Sequence, residues 1–137
     1  MSVVKDLFRE EADGSISFGD YELAEKAKKS DIEAHGDRYK VKTFRESTRL
    51  EKNDALLYES EPGTAVTSFS EDGNGVKFTV EGPEDAQVIL GMEDGASYKV
   101  TMNGREAGVI ATSMGGKLVL TVELGAADKV EVEVSKI

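Results

Sequence analysis

Short runs in which apolar and polar residues alternate fill much of this chain. In residues 117–124, Leu118, Leu120, Val122 and Leu124 occupy every second position. Because successive side chains of a β-strand point to opposite sides of the sheet, this period of two is typical of strands with one buried face. Asn103-Gly104 lies between two such runs and favours a tight hairpin turn. The pattern predicts an all-β fold, namely an antiparallel β-sandwich of immunoglobulin-like or jelly-roll-like type.

The apolar positions of the alternating runs are the candidate core. A single short helix is also predicted, over residues 24–30, because that stretch has helical composition. Tyr39 is expected to point inward by its parity, and Tyr58, beside Glu59, to be exposed. The predicted core residues are Val76, Phe78, Val80, Val88, Leu90, Val100, Val109, Leu118, Leu120, Val122, Val130, Val132 and Val134.

The length of 137 residues suits a single β domain. Pro62-Gly63 is the best candidate for an internal boundary, with an N-terminal β region at 1–62 and a C-terminal sandwich at 63–137. A loop inside one domain explains the same two residues equally well.

Composition excludes several classes of function. The chain has 17 basic and 27 acidic residues and a net charge of −10, which argues against a general nucleic-acid binder. It has no cysteine, so disulfides, thiolate zinc sites and a cysteine nucleophile are excluded. No apolar stretch approaches the roughly 20 residues of a membrane helix. Lys5 and Asp6 interrupt the apolar start, so no secretory signal is predicted and a cytoplasmic location is expected.

No convergent catalytic set is visible. His35 is the single histidine and lies among turn residues, where an ordinary loop position is the simpler interpretation. The acidic pairs have no spacing that marks them as a glycosidase pair. Residues 71–75 contain oxygen ligands and glycines but lack the longer ligand series of a calcium loop, so a hairpin turn is favoured. No phosphate-binding or dinucleotide motif occurs, and no cofactor or metal is predicted.

A basic stripe is the most informative local feature. Arg38, Lys40 and Lys42 alternate along one predicted strand, and Arg45 follows it. Residues at i, i+2 and i+4 share one face of a sheet, about 7 Å apart. Such a row is a candidate site for an acidic glycan or an acidic protein partner, since arginine can bind a carboxylate through two hydrogen bonds. The alternative is a solvated face whose cations pair with neighbouring glutamates.

Two resemblances follow from these residues. Residues 98–134 resemble the small β-sandwich modules that end many bacterial carbohydrate-active enzymes. The residues that match the spacing pattern of those modules are Tyr98, Val100, Asn103, Gly104, Gly108, Val109, Thr112, Gly116, Leu118 and Val122. The whole chain, through residues 39–44, 48–53 and 58–66, also resembles an uncharacterised bacterial family whose members are sometimes labelled "endosialidase".

That second resemblance implies acidic sugars as ligands, but its activity is not carried over. Propeller-type sialidases repeat the Asp-box S-x-D-x-G-x-x-W. Residues 70–74 come nearest to it, with Asn74 in place of the required glycine and no tryptophan after it. A chain of this length is also too short for a propeller.

Three hypotheses follow. The first is a non-catalytic binding or interaction module that acts through a sheet face or edge, and homo-oligomerisation is compatible with it. The second is a recognition domain for acidic carbohydrate that uses Arg38, Lys40, Lys42 and Arg45. The third and least favoured is a small endosialidase-like glycosidase, which requires a cleft with both acids and arginines.

Overall fold

The computed structural model describes residues 3–4, 6–125 and 129–137 of the chain. Within these ranges the regular structure consists of β-strands, as the alternating runs predict. The strands are Phe8–Glu10 (β1), Ile16–Phe18 (β2), Ala27–Ala34 (β3), Asp37–Phe44 (β4), Ser47–Lys52 (β5), Ala55–Glu61 (β6), Ala65–Asp72 (β7), Gly75–Glu81 (β8), Ala86–Gly91 (β9), Ser97–Met102 (β10), Arg105–Ala111 (β11), Lys117–Val122 (β12) and Lys129–Lys136 (β13).

The strands form two antiparallel sheets. Sheet A has the order β1-β2-β7-β8-β13-β10-β11, and sheet B has the order β12-β9-β6-β5-β4-β3. Each sheet combines strands from both sides of Pro62, and the buried residues of both sheets belong to one hydrophobic cluster. Tight hairpins join several of the pairs. Asn103 and Gly104, for example, both have positive φ, at 52° and 79°, as the predicted turn between β10 and β11 requires.

Aromatic side chains connect the inner faces of the two sheets. The ring of Tyr58 in sheet B lies edge-on to Phe18 and Phe78 of sheet A, at centroid distances of 5.3 and 5.7 Å. Phe8 of β1 similarly contacts Tyr39 of β4 at 5.3 Å. Tyr39 is buried, as its parity predicts, but the expectation that Tyr58 is exposed is wrong. Tyr58 belongs to the inner face of β6, and its neighbour Glu59 is the residue that points outward.

The predicted helix over residues 24–30 is also wrong. Residues 27–30 begin β3, which pairs along β4 with Lys28 opposite Lys42. A helix of seven residues is not stable by itself, because nucleation costs more than one or two turns return. Pairing with a neighbouring strand therefore outweighs the weak helical preference of this segment.

Val109 is the one predicted core residue that the structure places outside the core, with 59% of its surface exposed. A β-bulge explains the error. Thr101 lies opposite Glu106 whereas Val100 lies opposite Gly108, so Ala107 is an extra residue in β11. An extra residue reverses the alternation beyond it, which turns Val109 to the outer face beside Lys99.

A network of buried hydroxyl groups lies at one end of sheet B. The Thr48 hydroxyl donates to the carbonyl of Thr64 at 2.8 Å and accepts from the Thr64 amide at 3.0 Å. Thr43 contacts Thr48 at 2.8 Å and accepts from the Asp20 amide at 2.9 Å. The Thr64 hydroxyl in turn lies 2.8 Å from the hydroxyl of Tyr58. Burial raises the pKa of the Tyr58 hydroxyl well above its usual value. The network anchors the loops around Asp20 and Thr64 to β4, β5 and β6.

Replacing Leu120 by alanine tests the core assignment. Leu120 lies on the inner face of β12 with 2% of its surface exposed. Leu120→Ala should lower the free energy of unfolding by about 2–5 kcal/mol, because it removes buried methyl groups and leaves a cavity. Val109→Ala should change it by less than about 0.5 kcal/mol. Urea unfolding of the two variants measures both values, and equal effects would contradict the bulge-dependent assignment.

Replacing Thr48 by valine tests the hydroxyl network. The substitution keeps the size of the side chain but leaves the buried amide of Thr64 without its acceptor. The free energy of unfolding should fall by about 1–3 kcal/mol, the cost of an unsatisfied buried polar group. Thr79→Val, on the half-exposed outer face of β8, is the matched control. Similar urea midpoints for Thr48→Val and Thr79→Val would show that the network adds no stability.

Candidate anion-binding face

The basic stripe lies on the outer face of sheet B. Along β4, Tyr39, Val41 and Thr43 are buried, whereas Arg38, Lys40 and Lys42 are partly or fully exposed. The spacing of the three cations therefore places them on one face, as predicted. Arg45 is exposed but lies in the turn after β4, beyond the end of this stripe.

Strand pairing adds two cations to the stripe. Lys28 of β3 lies opposite Lys42 on one side, and Arg49 of β5 lies opposite Lys42 on the other. Lys28, Lys42 and Arg49 thus form a row across three strands, which we call the cationic row. Neighbouring strands are about 4.8 Å apart, so the three positively charged side chains start close together. Like charges directly opposite each other destabilise a sheet.

Arg38 and Arg49 already have carboxylate partners. Arg38 forms an ion pair with Asp54, at 2.5 Å, and Arg49 bonds to Glu51 and Glu59, at 3.1 and 3.2 Å. Burial disfavours the charge of Arg49, but the hydrogen bond to Glu51 and the charge of Glu59 outweigh it and raise the arginine pKa. Both guanidinium groups are therefore occupied in this structure.

The lysines differ from the arginines in this respect. Among the described residues, no carboxylate lies within 4.0 Å of the ammonium groups of Lys28, Lys40 or Lys42. Glu51, directly opposite Lys40, turns instead to Arg49. Three lysines on one face of an acidic protein thus remain available to an anion.

A groove adjoins Lys40. In β3 the register shifts between Lys29 and Ile32, and Asp31 takes a positive φ of 55° at this bulge. The groove that opens there has a volume of about 260 Å³ and includes Arg38, Lys40 and Glu51 in its lining. It brings cations, carboxylates and the Ser30 hydroxyl around one concavity, so it offers both donors and acceptors of hydrogen bonds.

A second groove, of about 350 Å³, lies at the β3–β4 turn and contains both acids and an arginine, as the glycosidase hypothesis requires. His35 Nδ1 lies there 3.1 Å from Glu10 Oε2. A general acid of a glycosidase needs a raised carboxyl pKa. The side chain of Asn53 donates a hydrogen bond to Asp37 and lowers the pKa of this carboxyl. Asp37 is therefore ionised at neutral pH and is not a proton donor.

Residues 71–75 form the predicted hairpin turn between β7 and β8. One carboxylate oxygen of Asp72 accepts from the amides of Asn74 and Gly75, at 2.7 and 3.0 Å. That oxygen is thus used to hold the turn. In the part of the chain that the structure describes, no group of three or more acidic or histidine side chains is placed to hold a metal ion.

Lys28 is the site residue that the sequence patterns miss. Its segment was predicted as a helix, and the bulge at Ser30 and Asp31 interrupts the alternation that would have marked a strand. Arg49 is visible as a cation in the sequence, but only the β4–β5 register places it beside Lys42. Side-chain pairs across strands depend on register, which no local pattern supplies here.

Neutralising Lys42 tests whether the cationic row carries a cost. Lys42→Gln removes the middle charge and should raise the free energy of unfolding by about 0.2–1 kcal/mol at low salt. The difference should shrink at about 1 M salt, where the Debye length is about 3 Å. Lys77→Gln is the matched control, because Lys77 lies opposite Glu133 and should lose an attraction instead. A Lys42→Gln variant less stable than the wild type at low salt would refute the repulsion.

Comparisons with known proteins add no assignment. No family model, no curated protein and no solved structure matches this chain. Among the described residues, no helix has both the length and the hydrophobicity needed to cross a bilayer. What the chain binds is therefore inferred from its own residues.

Proposed function

We propose that this chain is a non-catalytic binding module of the β-sandwich type, immunoglobulin-like or jelly-roll-like, and that the outer face of sheet B binds an acidic carbohydrate. The observation that carries the proposal is the juxtaposition of Lys28 and Lys42 on neighbouring strands without a carboxylate partner among the described residues. An anion placed between them would turn their repulsion into attraction to the ligand.

The chemistry of the free groups defines the kind of recognition. Lysine is a compact point charge, whereas arginine binds carboxylates through a planar pair of donors. Because Arg38 is occupied by Asp54, the lysines supply the charge that is available to a ligand. The groove beside Lys40 adds Ser30 and the carboxylates of Asp31 and Glu51, which can accept hydrogen bonds from sugar hydroxyls. Charge in the row and hydroxyl contacts in the groove together favour an acidic sugar over a simple ion.

A binding role fits the electrostatics better than hydrolysis does. In the groove that contains acids and an arginine, the hydrogen bond from Asn53 holds the pKa of Asp37 below its ordinary value, so this carboxyl is ionised at neutral pH. Glycoside hydrolysis needs one carboxyl that stays protonated near neutral pH. The endosialidase-like reading is therefore the weaker alternative.

A titration followed by amide NMR shifts tests the proposal. Acidic and neutral oligosaccharides of equal length are added to the ¹⁵N-labelled protein at about 0.01 M salt, where the Debye length is about 30 Å. We expect shifts on β3, β4 and β5 with the acidic sugars only. The affinity should fall severalfold at about 0.15 M salt, where the Debye length is about 8 Å.

Charge-reversal variants localise the site. Lys28→Glu with Lys42→Glu should weaken the acidic oligosaccharide at least tenfold. Lys77→Glu with Lys129→Glu makes the same change of charge on exposed positions of sheet A and should leave binding within about twofold. Equal losses in both variants would mean that net charge alone governs binding, and no shift with any acidic sugar would refute the proposal and favour a protein partner.

A further inference from the structure

In the two sheets that the described residues form, three of the four edges are protected against pairing with another chain. The edge strand β1 has only three residues. The other edge of sheet A, β11, is interrupted by the bulge at Ala107, and the edge strand β3 of sheet B is interrupted by the bulge at Ser30 and Asp31. Short strands, bulges and charges are the usual means of preventing edge-to-edge association.

The fourth edge strand, β12, is longer than β1 and has no bulge. Its six residues pair with β9 without a register shift, and they contain neither proline nor glycine. The backbone on the free side can be identified from its hydrogen bonds. Gly116 O accepts from Met92 beside β9, whereas Lys117 O accepts from Ser113 on the opposite side, at 2.9 Å. Because the direction alternates along a strand, the N–H and C=O groups of Val119 and Thr121 point to the free edge.

Two of the large exposed apolar side chains lie on or next to β12. Val119 of β12 is 41% exposed, and Met114, in the connection from β11 to β12, is 93% exposed. The other two lie on or near β11. Val109 belongs to this strand. The Ile137 amide donates a hydrogen bond to the carbonyl of Ser97, which lies opposite Ala111, the last residue of β11. These four are the exposed large hydrophobic residues of the described chain. The open edge thus has Val119 on it and Met114 in the connection just before it.

Charge along β12 defines the partner. The outward-pointing side chains are Lys117, Val119, Thr121 and Glu123, so this segment has a cation at its first residue and an anion at its last. An antiparallel copy of this segment places the positive end of each strand against the negative end of the other. With Thr121 opposite its own counterpart, Lys117 lies diagonal to Glu123 of the second copy, within reach of a long side chain. A parallel copy would place like charges together.

We propose that β12 pairs antiparallel with β12 of a second copy of this chain and forms a twofold-symmetric dimer. Thr121 exchanges backbone hydrogen bonds with its counterpart, Val119 does so with Glu123 of the second copy, and each Val119 side chain becomes partly covered. A twofold interface uses both open edges, so assembly stops at two chains and does not continue into a fibre. The cationic row lies on β3–β5 at the far edge of sheet B and remains uncovered.

Sedimentation velocity over a range of protein concentrations tests the dimer. The wild-type protein should pass from monomer to dimer as its concentration rises. Thr121→Lys adds a charge at the centre of the contact, where it faces its own counterpart, and should raise the dissociation constant at least tenfold. Thr79→Lys makes the same change of charge on the central strand β8 of sheet A and should leave it within about twofold. Amide NMR spectra of each variant check that the fold is intact.

Charge exchange distinguishes β12 self-pairing from other contacts. Lys117→Glu alone places two acids at each end of the contact, and Glu123→Lys alone places two lysines there, so each variant should dimerise more weakly than the wild type. Mixing the two variants should restore the dimer, because both ends then pair opposite charges. A wild-type protein that stays monomeric up to about 1 mM, a dimer indifferent to Thr121→Lys, or a mixture no stronger than its components would each overturn the proposal; 1 mM corresponds to about 4 kcal/mol of binding free energy.

Discussion

The hydrogen bonds between Thr48 and Thr64 set the orientation on which the outer face of sheet B depends. Thr43 and Thr48 lie side by side in β4 and β5, and both hydroxyls are held in the buried network. A slip of one residue would turn them outward and bury the next residue in each strand, because side chains alternate between the faces. Those next residues are Lys42 and Arg49, whose charges cannot be buried without partners. The threonine pair, together with the buried Val41 and Leu50 on the same strands, therefore keeps the cationic row on the surface.

The local alternation predicted most of the inner face, and register explains where it failed. Leu118, Leu120 and Val122 are buried as predicted because β12 has no bulge. Val109 was misplaced because one extra residue in β11 reverses the parity beyond it. The sequence pattern does not predict Lys28 as part of the cationic row, because the composition of its segment favours a helix. Pairing with β4 makes the segment a strand instead. Bulges and cross-strand neighbours arise from contacts distant in sequence, so a single sequence showed the stripe on β4 but not the row across β3, β4 and β5.

The cationic row is a local exception to the charge of the molecule. The chain carries a net charge of −10, so its average field repels anions at long range. Within a Debye length of about 8 Å at physiological salt, however, the nearby lysines dominate over distant carboxylates. Such a face discriminates by position. If the face binds an anion as proposed, an acid group between Lys28 and Lys42 would be stabilised and one elsewhere on the surface repelled, and this contrast would give specificity.

The two edge strands of sheet B, β3 and β12, differ in how open they are to pairing. Edge strand β3 is bulged and charged, which protects it from pairing and opens the groove beside Lys40. Edge strand β12 is regular and free to pair. A dimer through β12 would join the two copies of sheet B and place one cationic row at each end of the joined sheet. Two equivalent sites on one assembly raise the apparent affinity for a repetitive ligand, because the second contact becomes intramolecular once the first has formed. An acidic polysaccharide is such a ligand, so weak lysine contacts would suffice for binding if its chain spans both rows.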